Sequence, residues 1–404
     1  MRRPRPARPA HRLAALLAAA AVLGCAAAPA SAAAPARPAG PTSAAARDAA
    51  PSLPSVLRTA TTRAVTDGYP AAIAYARRDG ASATAAAGLA DVATGRPARP
   101  DDRFRIASNT KSFVATVLLQ LVAEQRLGLD DSVARWLPGV VSGAGNDGSR
   151  ITVRQLLNQT SGLYDPTTDP AFFAPYLQDH DMGYVHTPRQ VVAQAVAHPP
   201  LFPPGTRWNY SNTNYLVAGL VIEAVTGRSA GQEITDRILR PLGLTHTTLP
   251  LTDPRIRGRH LHGYDLEHRD VTVFSPSYDW TAGAMISTLD DLATFDRALF
   301  GGELLPPAEQ RALQTVADVP GNDDGYALGV TRAPVDCGDG RQVAAWETDG
   351  GGPGFTSFSL TSADARRQLI LVGTVFDLGA DLRHQAPVPA SSALGPAQTA
   401  VFCG

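Results

Sequence analysis

The apolar positions of this chain change period twice. At the N-terminal side, two strand-like runs, 71–77 and 82–88, flank Arg78-Asp79-Gly80. Asp-Gly between such runs predicts a hairpin. Near the other end, 343–347, 355–360 and 369–375 are β-rich runs separated by turn residues. Between about 106 and 300 the period becomes helical. Val114, Leu118, Leu121 and Val122 share one face after Ser108, in a helix expected to stop near Arg126-Leu127-Gly128. Leu216, Leu220, Ile222 and Val225 mark a second helix ending at Gly227, and Leu289, Leu292, Phe295 and Leu299 a third. Strands at both ends with helices between them predict an α+β fold. Its antiparallel sheet is built from both chain ends and flanked by helices, and a mainly helical lobe is inserted. The expected division is a sheet lobe at about 53–105 and 300–404 and a helical lobe at about 106–299, in one domain.

The first 52 residues lie outside that pattern. Arg2, Arg3, Arg5, Arg8 and Arg12 precede an apolar run, 13–23, and then Ala30-Ser31-Ala32. That order reads as a secretory signal peptide over 1–32, followed by an Ala/Pro-rich linker over 33–52. The expected destination is extracellular. Lipid anchoring through Cys25 is the alternative, weakened by the bulky Leu23 two residues ahead of it. No later stretch is apolar enough to span a bilayer. The formal net charge is −1, or −6 once the five leader arginines are set aside. An acidic chain with no basic run excludes a nucleic-acid binder. The remaining cysteines, Cys337 and Cys403, are most simply a disulfide in an exported protein, with two free thiols as the alternative.

Lys111 is the only lysine in the chain, although Lys and Arg together number 36. Arg stays protonated and cannot act as a base, whereas a buried Lys can be tuned to lose its proton. Ser108-Asn109-Thr110-Lys111 places a hydroxyl and this amine at i and i+3, on one helical face. A serine at a helix N-terminus also meets backbone N–H groups that favour negative charge. Downstream, Tyr210-Ser211-Asn212 follows Pro203-Pro204-Gly205 and precedes the second helix. A tyrosine hydroxyl beside an ammonium can ionise and act as general base. Asn212 is then a candidate to orient a substrate amide.

These segments resemble the penicillin-recognising serine hydrolases, the superfamily of serine β-lactamases and D,D-peptidases. The likeness is greatest to secreted actinobacterial D-alanyl-D-alanine carboxypeptidases, with class C β-lactamase-like esterases and D-aminopeptidases related. It runs through essentially all of 53–404. The segments that carry it are Phe104-Arg105-Ile106-Ala107-Ser108-Asn109-Thr110-Lys111-Ser112-Phe113, Ile151-Thr152-Val153-Arg154-Gln155 with Ser161-Gly162-Leu163-Tyr164, Tyr210-Ser211-Asn212-Thr213-Asn214-Tyr215, Gly283-Ala284-Met285-Ile286-Ser287 and the closing Phe402-Cys403-Gly404. The resemblance implies Ser108 as acylated nucleophile and Lys111 with Tyr210 as proton relay. It also implies an oxyanion hole from the N–H groups of Ser108 and Gly351, and a Cys337–Cys403 bridge. No cofactor or metal is expected.

The third motif departs from the family pattern of a basic residue, a hydroxyl residue and Gly on a strand lining the site. Here the stretch is Thr348-Asp349-Gly350, leading into Gly351 and Gly352. The cation is missing and Asp349 stands where a hydroxyl belongs. The arginine expected to hold a substrate carboxylate is replaced by Thr331, with Arg332 adjacent. Like charges about 4 Å apart, at an effective dielectric near 20, cost roughly 4 kcal/mol. Peptides ending in a free carboxylate should therefore bind roughly a hundred- to a thousandfold more weakly. The expected function is an acyl-enzyme hydrolase of carboxypeptidase/β-lactamase type with changed specificity. The alternatives are an esterase or D-aminopeptidase-like amidase, and a catalytically weak wall-binding homologue. The partner would be a small peptide, amide or ester, including a peptidoglycan stem peptide, acted on by a monomer. Trp280 and Phe173 are candidates to line the cleft, and the His260/His262 pair lacks a third metal ligand.

Overall fold

The computed structural model describes residues 51–404. The leader, Cys25 and nearly all of the linker fall outside these residues. Seven strands form one antiparallel sheet: β1 (Ala71–Arg78), β2 (Ala81–Asp91), β3 (Arg96–Pro97), β4 (Thr331–Arg332), β5 (Ala345–Gly352), β6 (Phe355–Ser362) and β7 (Arg367–Gly373). Their order across the sheet is β3-β2-β1-β7-β6-β5-β4. The first hairpin thus pairs with the last strand, Ala72 opposite Gly373 and Arg78 opposite Arg367. Asp79 and Gly80 both take positive φ in the predicted turn, as a tight hairpin requires.

The sheet is covered on both faces, so its central strands read as nearly unbroken apolar runs. Along β1, Ala74 and Ala76 face outward, where α1 (Leu53–Thr66) and the C-terminal helix pack through Leu57, Ala60, Val401 and Phe402. Ile73 and Tyr75 alternate to the inner face and join the main core. That core surrounds α2 (Thr110–Ala123), whose Phe113, Val114, Val117, Leu118 and Leu121 are fully buried. A helix buried on all sides explains why its apolar pattern is broader than one stripe. The helix ends at Glu124, earlier than expected, because Gln125 takes the left-handed conformation that Gly128 was expected to supply.

α3 (Asn212–Thr226) lies against α2 and stops at Gly227, φ 72°, as its sequence predicts. The short α4 (Trp280–Gly283) contacts both of these helices, and α5 (Leu289–Phe300) packs on the inner face of the sheet, its Phe295 ring stacked on Phe113. The last helix, α6 (Leu394–Phe402), ends beside Cys403, which is bonded to Cys337.

Candidate active site

The site forms where the N-terminus of α2 meets the edge of the sheet. Ser108 sits in a single 3₁₀ turn, Ala107–Asn109, that leads into α2. Ala107 holds φ 44°, a strained conformation for a residue with a Cβ. The strain stands directly before the hydroxyl. Strand β5 is pressed against this turn. A Cβ built on Gly350 would lie 2.3 Å from Ile106 O and 2.9 Å from Ser108 N. Only glycine permits that approach, and it brings the following residue, Gly351, alongside the turn.

The three residues singled out for chemistry converge. Lys111 Nζ donates to Ser108 Oγ at 2.9 Å, and Tyr210 Oη donates to the same Oγ at 2.7 Å. Lys111 is only 1% exposed, whereas Ser108 is half-buried and reachable from solvent. The ammonium has two further acceptors, Asn212 Oδ1 and Ala282 O, each at 2.8 Å. It also lies 4.7 Å from the centre of the Tyr210 ring. Every proton of the amine therefore has an acceptor.

Burial acts on these groups in opposite senses. It pulls the Lys111 amine down to about 8, against the nearby charges of Asp279, Asp165 and Asp349, which favour the ammonium. It pushes the Tyr210 hydroxyl well above its ordinary value, with the neighbouring Tyr326 adding to the effect. Burial thus disfavours the phenolate and favours the neutral amine.

Asn212 lies beside Lys111. Its Oδ1 holds Lys111, its Nδ2 donates to Thr167 Oγ1 at 3.1 Å, and its backbone N–H donates to Asp165 Oδ2 at 2.7 Å. Its side chain is thus held between Lys111 and Thr167. Trp280 is a correction: it is 4% exposed, and a Cβ at Gly219 would lie 2.8 Å from its ring. It fills the seam between α3 and α4, not the cleft. Phe173 is buried likewise, edge-on to Tyr278.

The third motif is acidic in space as in sequence. Thr348 is buried, and its Oγ1 has no hydrogen-bond partner among the described residues. Asp349 and Glu347 project from the opposite face of β5, and Glu347 pairs across the ladder with Thr331. Burial raises both carboxyls, and the charges of Asp349 and Asp324 contribute to the rise at Glu347. Arg332 is exposed and stands opposite Trp346, on the other face from Asp349. Among the described residues, neither Asp349 nor Glu347 makes a salt bridge. Asp165, Asp279 and Asp324 escaped the sequence reading, although Asp165 and Asp279 directly adjoin residues it named, Tyr164 and Trp280.

The His262 ring is committed to Asp270, Nδ1 to Oδ2 at 2.6 Å, and no metal-holding group of side chains occurs among the described residues. No described helix is long and apolar enough to cross a membrane.

The chain is similar to known proteins. The family described as Beta-lactamase matches residues 57–390. A D-stereospecific amidohydrolase from Streptomyces sp. is 40% identical, with a TM-score of 0.76 over 87% of this chain and 99% of its own. The D-amino acid amidase of Ochrobactrum anthropi SV3, complexed with L-phenylalanine amide, is 25% identical, with a TM-score of 0.71 over 86% of this chain and 98% of that one. Protein flp of Staphylococcus aureus (strain MW2) is 32% identical over 230 residues, 56% of this chain and 43% of flp. Penicillin-binding protein 4* of Bacillus subtilis (strain 168) is 27% identical over 304 residues, 70% of this chain and 63% of its own length. The matched region is thus less than two thirds of the length of these two curated relatives.

Proposed function

We infer, from the premise that this chain belongs to the beta-lactamase family of serine hydrolases, that it is an exported acyl hydrolase cleaving amides or esters of D-amino acids that carry a free amino group. Ser108 Oγ attacks the carbonyl and its proton passes to the Lys111 amine, 2.9 Å away. The N–H groups of Ser108 and Gly351 receive the oxyanion. Tyr210, neutral and hydrogen-bonded to Ser108 Oγ, hands a proton to the departing amine or alcohol and regains one from Lys111. Water then attacks the acyl-enzyme by the same relay in reverse.

One observation carries the choice of substrate: the third-motif position holds Asp349, whose charge reaches Lys111 and Tyr210 and which makes no salt bridge among the described residues. A substrate ammonium supplies that missing cation, and a substrate carboxylate is repelled. The likeness to the D-stereospecific amidohydrolase supports the same reading. The Cys337–Cys403 bridge supports an oxidising destination.

The test is a panel of D-aminoacyl amides and esters, their N-acetylated forms, and acyl-D-Ala-D-Ala, with Ser108→Ala as control. Turnover of the free-amine D-substrates, weakened at least tenfold by N-acetylation and absent in Ser108→Ala, is expected. Equal or better cleavage of acyl-D-Ala-D-Ala would restore the carboxypeptidase reading. Failure of a fluorophosphonate to label Ser108 would leave the wall-binding homologue.

A further inference from the structure

The relay lysine is buried among more carboxylates than its proton requires. None of Asp165, Asp279 and Asp349 accepts a hydrogen bond from Lys111, whose partners are Ser108, Asn212 and Ala282. Asp165 is occupied otherwise, accepting from the Asn212 and Thr167 backbone N–H groups and from the Thr167 hydroxyl. Asp279 is not. It is 7% exposed, and its Oδ1 is buried without a hydrogen-bond partner. A buried, unsatisfied carboxylate oxygen is costly and calls for a compensating role.

Its placement supplies one. Asp279 stands at the N-cap position of α4 without a side-chain cap bond, and the Ala282 carbonyl of that helix accepts from Lys111. The entry to that helix is strained, Trp280 holding φ 33°. The carboxylate folds back over the helix so closely that a Cβ on Gly283 would lie 1.7 Å from Oδ2. Arg105, Ala107, Tyr278 and Gly352 line a small cavity with it. Arg105 Nη2 donates to the carbonyls of Pro254, Thr272 and Phe274, while its Nε is buried without a partner among the described residues. Asp279 is therefore held by backbone geometry on the helix that meets Lys111, and its charge is felt at the amine.

We propose that Asp279 is the positioning residue of the relay: its carboxylate keeps the proton on Lys111 between turnovers and so decides the pH at which the amine becomes a base. This rests on the reading of Lys111 as the proton acceptor for Ser108. The other charged or titratable groups around the lysine are Asp165 and Tyr210 before α3, Tyr215 on α3, and Asp349 on β5. The nearby charges of both Lys111 and Asp165 act on Asp279, whose own carboxyl burial raises to about 6. Asp279 therefore ionises in the lower of two steps, and its charge is felt by Lys111 in the upper one.

Because the chain has a single lysine, selective ¹³C labelling at the lysine ε-carbon yields one side-chain signal that reports Lys111 directly. In the unaltered protein this signal should titrate with a main midpoint near pH 8 and a smaller inflection near pH 6, as Asp279 ionises. Asp279→Asn should abolish the lower inflection. It should also move the main midpoint down by roughly one unit or more, the shift typical of losing an opposite charge at this range. The rising limb of the fluorophosphonate labelling rate against pH should move down with it. If Asp279→Asn does not fold, Asp279→Ser serves, and the wild-type inflection stands as a check needing no variant. A midpoint unchanged in the variant, or a wild-type titration lacking the lower inflection, would overturn the proposal. Failure of Ser108→Ala to abolish labelling would instead overturn the assignment of the nucleophile, leaving the lysine titration intact.

Discussion

At the residue scale, the chemistry turns on one amine in a nearly dry place. Lys111 has its acceptors satisfied and its proton affinity lowered to about 8, so just below neutrality most molecules hold an ammonium and only a minority hold the base. The sign follows directly: raising pH through this value deprotonates Lys111 and should raise the rate of Ser108 acylation until the midpoint is passed. Tyr210, pushed the other way by burial, stays neutral across this range and adds no second limb. Lys111→Arg should retain the positive charge but remove the base, because guanidinium does not deprotonate. We expect fluorophosphonate labelling of Ser108 to fall by roughly 10²–10⁴-fold, with no recovery at high pH. A variant that kept a tenth of the labelling rate would mean that another group takes the proton. Tyr210→Phe should separate the two roles. Labelling by a probe with a good leaving group should fall less than hydrolysis of an amide, whose departing amine needs a proton.

At the element scale, one contact places the nucleophile and a second joins the sheet to α5. One is Gly350 of β5 against the Ile106–Ser108 turn. Gly350→Ala puts a methyl group 2.3 Å from a backbone oxygen that has no rotamer by which to escape. Strand and turn must separate, costing about 1–3 kcal/mol in stability by denaturant unfolding. Acylation should fall by roughly a hundredfold, as for small displacements at other active sites. Unchanged labelling would show that β5 does not position the site. The other contact lies behind it, where Ser359 of β6 donates to the fully buried Asp296 of α5, while Asp296 Oδ1 lacks a partner among the described residues. Burial raises this carboxyl to about 7, so the folded chain keeps a proton that the unfolded chain gives up from about pH 4. Its contribution to stability is therefore present in full below the unfolded value and lost as pH rises toward 7. Asp296→Asn should flatten that decline and stabilise the protein at pH 8 by on the order of 2 kcal/mol. A steeper decline in the variant would reverse the assignment.

At the scale of the whole molecule, the fold was legible in the sequence wherever local periodicity decides structure, and the site only in part. Asp79-Gly80 and Gly227 mark their turn and cap because positive φ selects them locally. Ser108 and Lys111 could be paired because three residues of helix bring them together. The carboxylates around Lys111 could not, since Asp165, Asp279 and Asp349 come from separate elements more than a hundred residues apart at the extremes. Trp280 misled for a related reason: an aromatic beside a motif looks the same in sequence whether it faces a cleft or fills a helix seam. The sheet has the same non-local origin, β1 pairing with β7 and α1 packing on α6, so both chain ends must be in place before either is stable. The Cys337–Cys403 bridge ties the segment before β5 to the end of α6 across 66 residues. On loop entropy alone it should stabilise the fold by roughly 4 kcal/mol. It lies with Phe402 and Val335 on the outer face of the sheet, whereas Ser108 stands on the inner side with Gly350. Replacing both cysteines by alanine should therefore lower the denaturant midpoint markedly yet leave the Ser108 labelling rate at 25 °C within about twofold, because stability and site geometry are set on opposite faces of the sheet. Loss of labelling in a variant that remains folded would mean that the C-terminal helix reaches the site through β5, and the two faces would have to be treated as one.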